Sequence, residues 1–413
     1  MFGQGYLVVQ LAVRDGVPQL APFYIGLVGL ARAVPGLTFG LFGGVAADRA
    51  DRRNILLVTQ CLAAASAAVL ALLTLTGRID IIHVLMLGAI NSLIFSFDAP
   101  TRQSMVPRLV PERDLMSAIG LNSAAFNGPQ IFGPVIGGLI LGALGSVMPP
   151  INAIGALFGI NAFGYLATVG ALLLMAPVPA AARRDTSVLR SVREGLGYIR
   201  REPVIRWAVL LVALSAVAGR PYIQLLPAVA HDLDLGAVQL SWMFAASGVG
   251  AFAGSLTVAS LGNVRRRGVL FLGAAVGFGV ALTAFATQRS LLLSLPLLAL
   301  VGFTMMVFMG LSNTFLQTRA PDHLRGRVMS VHSVLFMGVL PLGVLILGTV
   351  GTFVGVTTTL TVSGVLLAAV TLVVAVRVPA VRRATSQPRH RRQGAQVHPR
   401  VPHAEVRNGS AAD

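Results

Sequence analysis

The chain has 413 residues, 55% of them hydrophobic and only 11% charged, with a mean hydropathy of +0.78. A water-soluble globule carries about 25% charged residues, so this composition excludes a soluble fold and makes lipid the solvent. The formal net charge is +17, with every basic residue an arginine; a nucleic-acid binder would gather that charge on one folded face, whereas these arginines fall between apolar runs, which excludes nucleic acid as partner.

The opening stretch, MFGQGYLVVQLAV, is apolar. A bilayer core about 30 Å thick needs roughly 20 apolar residues per spanning helix, so this stretch is about half the required length. It has no basic leader and no small-residue cleavage site, so it is not a signal peptide. It reads as the outer half of a first helix whose beginning is missing. Eleven apolar segments follow, near 22–46, 54–76, 80–100, 115–143, 151–176, 204–229, 238–261, 268–287, 290–317, 327–350 and 354–376. With the opening fragment there are twelve.

The connections test that count. With the start of the first helix in the cytoplasm, loops alternate inside and outside. Inside fall Arg49, Arg52 and Arg53, then Arg102, Arg108 and Arg113, then seven arginines from Arg183 to Arg206. Arg265, Arg266 and Arg267 follow, then Arg319, Arg325 and Arg327, then eight from Arg377 to Arg407. Outside loops hold only Arg14, Arg78 and Arg289. Short basic loops stay in the cytoplasm, so the bias sets the orientation: a multi-pass membrane protein with both termini cytoplasmic.

The longest internal connection separates six spans from six. The expected organisation is a first bundle over 1–176, a linker over 177–203, a second bundle over 204–376 and a basic tail over 377–413. From about Ser187 the linker turns into a basic amphipathic helix, with Val188, Leu189, Val192, Leu196 and Ile199 on one side, of the kind that lies at a membrane interface. The tail has almost no large apolar groups and reads as disordered. The single cysteine, Cys61, lies in an apolar run and reads as a small buried hydrophobe.

Four motifs stand out. Five of the six residues from Asp48 to Arg53 are charged, in Gly44-Val45-Ala46-Ala47-Asp48-Arg49-Ala50-Asp51-Arg52-Arg53. The fifth segment carries Gly133-Pro134-Val135-Ile136-Gly137-Gly138. Pro134 would kink that helix, and the glycines would let a neighbour approach. VPERDLMSAIGL before the fifth segment echoes APDHLRGRVMSV before the eleventh, where Arg325-Gly326-Arg327 forms the second-half motif. Two such parallel halves are a transporter architecture.

Together these features resemble the major facilitator superfamily over nearly the whole chain. The resemblance implies an all-α integral membrane protein, a twelve-helix major facilitator fold in two six-helix halves, the first helix truncated at its N-terminus. In that family the loop between the second and third helices reads roughly Gly-x-x-x-Asp-Arg-x-Gly-Arg-Arg; Asp51 here replaces the second glycine. The resemblance implies that Asp48 faces the N-terminus of the eleventh helix, near Arg327, where a carboxylate is favoured. Arg49 and Arg52 would reach Asp98 at the foot of the fourth helix. Gly44, Asp48, Arg49, Arg52, Arg53 and Asp98 would then form a latch between halves; a solvated loop would explain the arginines but not the acids. Gly133, Pro134, Gly137 and Gly138 match the helix-five motif of drug antiporters, with Pro129 in place of that motif's preceding glycine. The stretches FDAPTRQSMVPRLVPERDLMSAIGLNSAAFN, NTFLQTRAPDHLRGRVMS and VREGLGYIRREP are similar to the branch holding enterobactin-type siderophore exporters and macrolide efflux pumps.

The implied function is secondary transport, proton-coupled export of a small organic molecule by a monomer. No phosphate-binding loop is present, and neither cofactor, metal site nor enzymatic constellation is expected. Arg32 and Arg220 lie inside spans, where an arginine costs at least about 2.5–3.5 kcal/mol and faces a cavity or a partner. With Asn91, Tyr222, Gln224 and Asn313 they are the candidates for a substrate cavity. Guanidinium forks there would favour anionic or phenolate oxygens, unless the two side chains snorkel outward. Asp98 is the only intramembrane carboxylate. His332, within the eleventh segment, reads as packed or pore-lining. The alternative is a non-transporting scaffold or receptor on the same fold, or an inactive truncated transporter.

Overall fold

The computed structural model describes residues 2–49, 51–111, 114–176, 196–261 and 267–383, and among them no strand occurs. The first six helices are α1 (Phe2–Arg14), α2 (Ala21–Arg49), α3 (Arg52–Leu75), α4 (Ile81–Leu109), α5 (Leu115–Gly145) and α6 (Pro150–Leu173). A short helical stretch over 196–201 leads into α7, whose pieces Pro203–Leu214 and Tyr222–Asp232 are joined through a π-helical turn at Ser215–Gly219. Then come α8 (Ala237–Ser260), α9 (Arg267–Ala286) and α10 (Leu291–Arg319). α11 is again in two pieces, Asp322–Gly338 and Leu340–Val354, followed by α12 (Val356–Arg377) and a four-residue helix, Pro379–Arg382. By length and composition α3, α4, α6, α7, α8, α9, α10 and α12 can each cross a bilayer. At 13 residues α1 is about 20 Å long.

Local chemistry sets the helix ends. Asp51, standing where the resembled motif has glycine, caps α3 by accepting from the Arg53 N–H at 2.8 Å. Asp80 caps α4 by accepting from the Ile81 N–H at 2.6 Å, and His83 Nδ1 accepts from the Asp80 N–H at 3.2 Å. Between α11 and α12 the chain turns at Gly355, whose φ of +87° only glycine adopts readily.

The same pairings recur in each half. α2 lies along α4, α3 along α6 and α3 along α4; likewise α8 lies along α10, α9 along α12 and α9 along α10. Adding six to each helix number converts one set into the other, the mark of a parallel repeat. The contacts between halves obey the same rule, since α2 packs on α11 and α5 packs on α8. Small residues permit these approaches, as expected where lipid supplies no hydrophobic drive between helices. A Cβ on Gly250 of α8 would collide with the Ala299 carbonyl of α10, and one on Gly302 of α10 with the Ser247 carbonyl of α8.

The outward faces carry exposed Leu62, Phe163, Leu174, Phe353 and Val376, a surface suited to lipid. Cys61, next to exposed Leu62 in α3, is exposed rather than buried. An apolar residue in a membrane bundle is as much at home against acyl chains as in the core. Of the linker helix, Leu196 and Ile199 are described, with Ile199 buried against Val204 and Ile205. Ser187, Val188, Leu189 and Val192, and the tail beyond Arg383, lie outside the described residues.

Candidate functional site

Apolar packing differs sharply between the two ends of the molecule. Toward the arginine-poor end one continuous core joins both halves: Leu7, Ile25 and Val28 share it with Leu225, Leu240 and Val344. Toward the arginine-rich end the cores of the described residues are separate. Leu56, Met105 and Leu172 form a small cluster in the first half, and Val204, Phe271, Phe308 and Val328 belong to another in the second. Among the described residues a shared apolar core therefore joins the halves at the arginine-poor end, and none joins them at the arginine-rich end.

Glycines make the seal. A Cβ on Gly26 of α2 would stand 2.8 Å from the Leu345 Cα of α11, and Gly348 of α11 meets the Pro22 carbonyl of α2. On the other side of the bundle Gly138 of α5 abuts Ser241 of α8, and Gly142 abuts Val238. Gly137, next in the helix-five motif, leaves room for the Phe2 ring of α1, at 3.3 Å from a built Cβ. Phe2 in turn meets Phe244 of α8 edge-on, ring centroids 5.6 Å apart. Two of the three motif glycines thus have a packing reason. Gly133 has open space around it, with nothing within 4 Å of a built Cβ. Pro134 is half-buried and continues inside α5.

Two helices are interrupted where they pass between the ends. In α7 the Arg220 N–H donates to the Ser215 carbonyl at 2.8 Å, closing the π-turn, and Pro221 follows without an N–H to give. In α11 the break falls at Val339, before Pro341. The two breaks touch: a Cβ on Gly343 would lie 2.6 Å from the Ala216 carbonyl and 2.7 Å from the Val217 Cα. Discontinuous helices form substrate sites near the bilayer midplane in many transporters. Arg220 projects from this junction and is half-buried.

The other cavity candidates divide into three groups. Arg32 of α2 is half-buried against α4: its Cγ is 3.5 Å from a Cβ built on Gly88, and its carbonyl accepts from Ser92 Oγ at 2.5 Å. Gln224 of α7 reaches across the halves, its Oε1 3.6 Å from a Cβ built on Gly29. Asn91 and Tyr222, by contrast, serve packing inside one half. Asn91 Nδ2 donates to Ser66 Oγ of α3 at 2.8 Å and to the Leu87 carbonyl at 2.9 Å. Tyr222 is fully buried, with its hydroxyl 2.6 Å from Ser247 Oγ of α8 and its ring edge-on to Phe278. Asn313 is exposed on α10 and accepts from Gln317 one turn on.

At the arginine-rich end the charged loop ties the first half to itself. Arg52 is 1% exposed and its Nε donates to Ser104 Oγ of α4 at 2.9 Å. Arg53 donates to the Leu172 and Leu173 carbonyls, at 2.7 and 2.9 Å, capping the end of α6. Asp98, 6% exposed, accepts from Thr59 Oγ1 at 3.1 Å, Gln60 Nε2 at 2.6 Å and Arg102 Nη2 at 2.9 Å. Among the described residues its ion-pair partner is Arg102, one turn along α4, in place of the expected Arg52. The i, i+4 spacing of Asp98 and Arg102 was a signal available in the sequence. The surroundings of Gly44, Asp48 and Arg49 lie outside what is described, as do Glu112 and Arg113. Arg325 of α11 donates from Nε to the Gln317 carbonyl of α10 at 2.9 Å, and Gly326 is exposed, with nothing within 4 Å of a built Cβ. Arg327 is half-buried. His332 is buried, which agrees with a packed role. Among the described residues no group of His, Cys, Asp and Glu is placed to hold a metal.

Known proteins share both sequence and fold with this chain. Residues 18–406 match the family described as transmembrane secretion effector, a division of the major facilitator superfamily. The multidrug efflux pump Tap of Mycolicibacterium fortuitum is 30% identical over 328 residues, 78% of this chain and 79% of the pump. The enterobactin exporter EntS of Escherichia coli O1:K1 is 27% identical over 304 residues, 73% of this chain and 71% of the exporter. A bacterial homologue of the human lysosomal transporter Spinster, solved inward-facing and unoccupied, superposes with a TM-score of 0.67 at 15% identity, covering 93% of this chain and 96% of that one. A D-xylose–proton symporter superposes with a TM-score of 0.63 at 14% identity, covering 90% and 94%. These relatives are transporters and not enzymes, and the fold they share is the twelve-helix one built above. The chain is a multi-pass membrane transporter and belongs to the transmembrane secretion effector family of the major facilitator superfamily.

Proposed function

We propose that the protein is a proton-coupled exporter of a small organic molecule such as a siderophore, antibiotic or drug, working as a monomer by alternating access. The observation that carries this reading is the contrast between the two ends among the described residues, a core shared by both halves at one and separate cores at the other. The arginine distribution favours the end with separate cores as cytoplasmic, with both termini inside a bacterial plasma membrane. The molecule is then inward-open, ready to take substrate from the cytoplasm. Likeness to an efflux pump and a siderophore exporter supports the export direction.

Substrate enters between the halves and meets the junction of the two broken helices. Arg220 at that junction and Arg32 on α2 favour a substrate with anionic or phenolate oxygens, which guanidinium groups bind with charge-assisted hydrogen bonds. Gln224, at the inner edge of the seal, is suited to sense the substrate as the seal opens. Closure of the cytoplasmic end brings Asp48 toward the start of α11 and Arg49 toward Asp98, making the latch. Asp98, held within α4 by hydrogen bonds from Thr59, Gln60 and Arg102, is the candidate proton carrier.

Inside-out vesicles test the reading. With an imposed proton gradient they should accumulate an acidic aromatic compound, and collapse of the gradient should stop it. Arg32→Gln and Arg220→Gln should lose the acidic compound while handling a cationic one as before. Uptake that ignores the gradient removes proton coupling; unchanged handling of both compounds removes the arginine site.

A further inference from the structure

A second feature lies away from the pathway, on the lipid-facing side of the second half. Between α7 and α12 at the arginine-rich end is an open groove of about 290 Å³. Trp207 of α7 forms one wall, and Val370, Val373 and Val374 of α12 form the other. Every lining residue is apolar except Arg377. From Val370 to Arg377 the groove runs about 10 Å along α12. That is the depth of the headgroup boundary and the first part of one leaflet, and a half-buried tryptophan is typical of it.

The charge around the mouth is lopsided. Arg200, Arg201, Arg206, Arg377, Arg382 and Arg383 stand on the segments that frame it, against one carboxylate, Glu202. Arg377 is exposed and makes no hydrogen bond or ion pair with another described residue. The backbone that follows it is packed down. The short helix Pro379–Arg382 folds back so that Val381 is fully buried, packed against Gly268 of α9 and in one core with Val204 and Val374. The chain therefore holds an apolar slot with the exposed Arg377 beside it.

We propose that this groove is a binding site for one anionic phospholipid, with an acyl chain against Trp207 and Val370 and the phosphodiester on Arg377. Within a membrane the slot is filled by lipid tails in any case, and the guanidinium selects which headgroup stays. Arginine suits this because its planar fork pairs with two phosphate oxygens at once, and a basic residue at a leaflet surface favours anionic lipid over zwitterionic lipid.

Native mass spectrometry of the full chain, released from a neutral detergent and titrated with phosphatidylglycerol or phosphatidylcholine, reads the site as the affinity of the first lipid bound. Phosphatidylglycerol should bind more tightly than phosphatidylcholine. Arg377→Gln should weaken it about fivefold, which corresponds to about 1 kcal/mol, and Arg377→Lys should restore most of the loss. Val373→Trp, which fills the slot from an exposed position, should weaken both lipids while leaving the lipid-free melting temperature unchanged. Equal affinity for the two lipids, or Arg377→Gln and Val373→Trp both binding like the wild type, would overturn the proposal. So would inorganic phosphate displacing the lipid as well as a second lipid does, because that would mark an ion site without an acyl slot.

Discussion

Asp98 shows how a single charge is kept inside a span. Its carboxylate is buried and meets donors from α3 on one side and from its own helix on the other. Asp98→Ala would leave the buried amide of Gln60 without its acceptor, a loss of about 1–3 kcal/mol. The variant should therefore melt lower in detergent than wild type, and Asp98→Asn, which keeps an acceptor oxygen for Gln60, should melt between the two. Equal melting of all three would show that the network adds nothing to stability. Arg53 is a parallel case, since Arg53→Ala strips two carbonyl contacts from the end of α6 and should cost about 1–3 kcal/mol by the same measurement. Asp48→Asn belongs to function instead: it should abolish transport in vesicles with membrane abundance near wild type, and wild-type transport would retire the latch. At this scale the sequence was read unevenly. The residue types were legible, because arginine and aspartate between apolar runs are conspicuous. Their partners were not, because in helices apolar on every side nothing in the hydropathy pattern distinguishes a core-facing Tyr222 from a cavity-facing one, or a lipid-facing Cys61 from a buried one.

Between elements, close approach is decided by missing side chains. Gly138 and Gly142 let α5 lie against α8, while Gly133 on the same helix faces open space. Gly138→Ala should therefore force α5 and α8 apart, with a penalty of about 1–3 kcal/mol for overpacking, and should lower transport. Gly133→Ala has room for its methyl group and should transport like wild type. Vesicle transport by the two variants, normalised to membrane abundance, checks the contrast; equal loss in both would mean that the motif acts through something other than packing. The start and end of most spans could be read from charge and proline, and the parallel repeat showed in the paired Met-Ser entrances to α5 and α11. The interruptions in α7 and α11 could not be read. Pro221 and Pro341 announce a disturbance, but a proline inside a membrane helix can equally kink it without breaking it. The π-turn at Ser215–Gly219 is fixed by packing against Gly343 and Phe278, residues more than fifty positions away.

For the whole molecule, the proposed alternating access requires the seal at the arginine-poor end to open and close during transport. Twelve spans, two halves and one basic side were visible in the sequence because lipid imposes segment length and translocation penalises arginine. The state of the two ends was not visible, since either state uses the same residues. The seal offers a direct test. A Cβ built on Gly142 of α5 lies 3.9 Å from the Val238 Cβ of α8, inside the range that a disulfide spans, about 3.5–4.5 Å. In a Cys61→Ala background, Gly142→Cys with Val238→Cys should cross-link on mild oxidation, joining the two halves. Vesicles carrying the cross-linked protein should stop transporting, and a reductant should restore the rate. A complete cross-link with transport still at the uncross-linked rate would contradict the account, because the substrate would then cross without that seal ever opening.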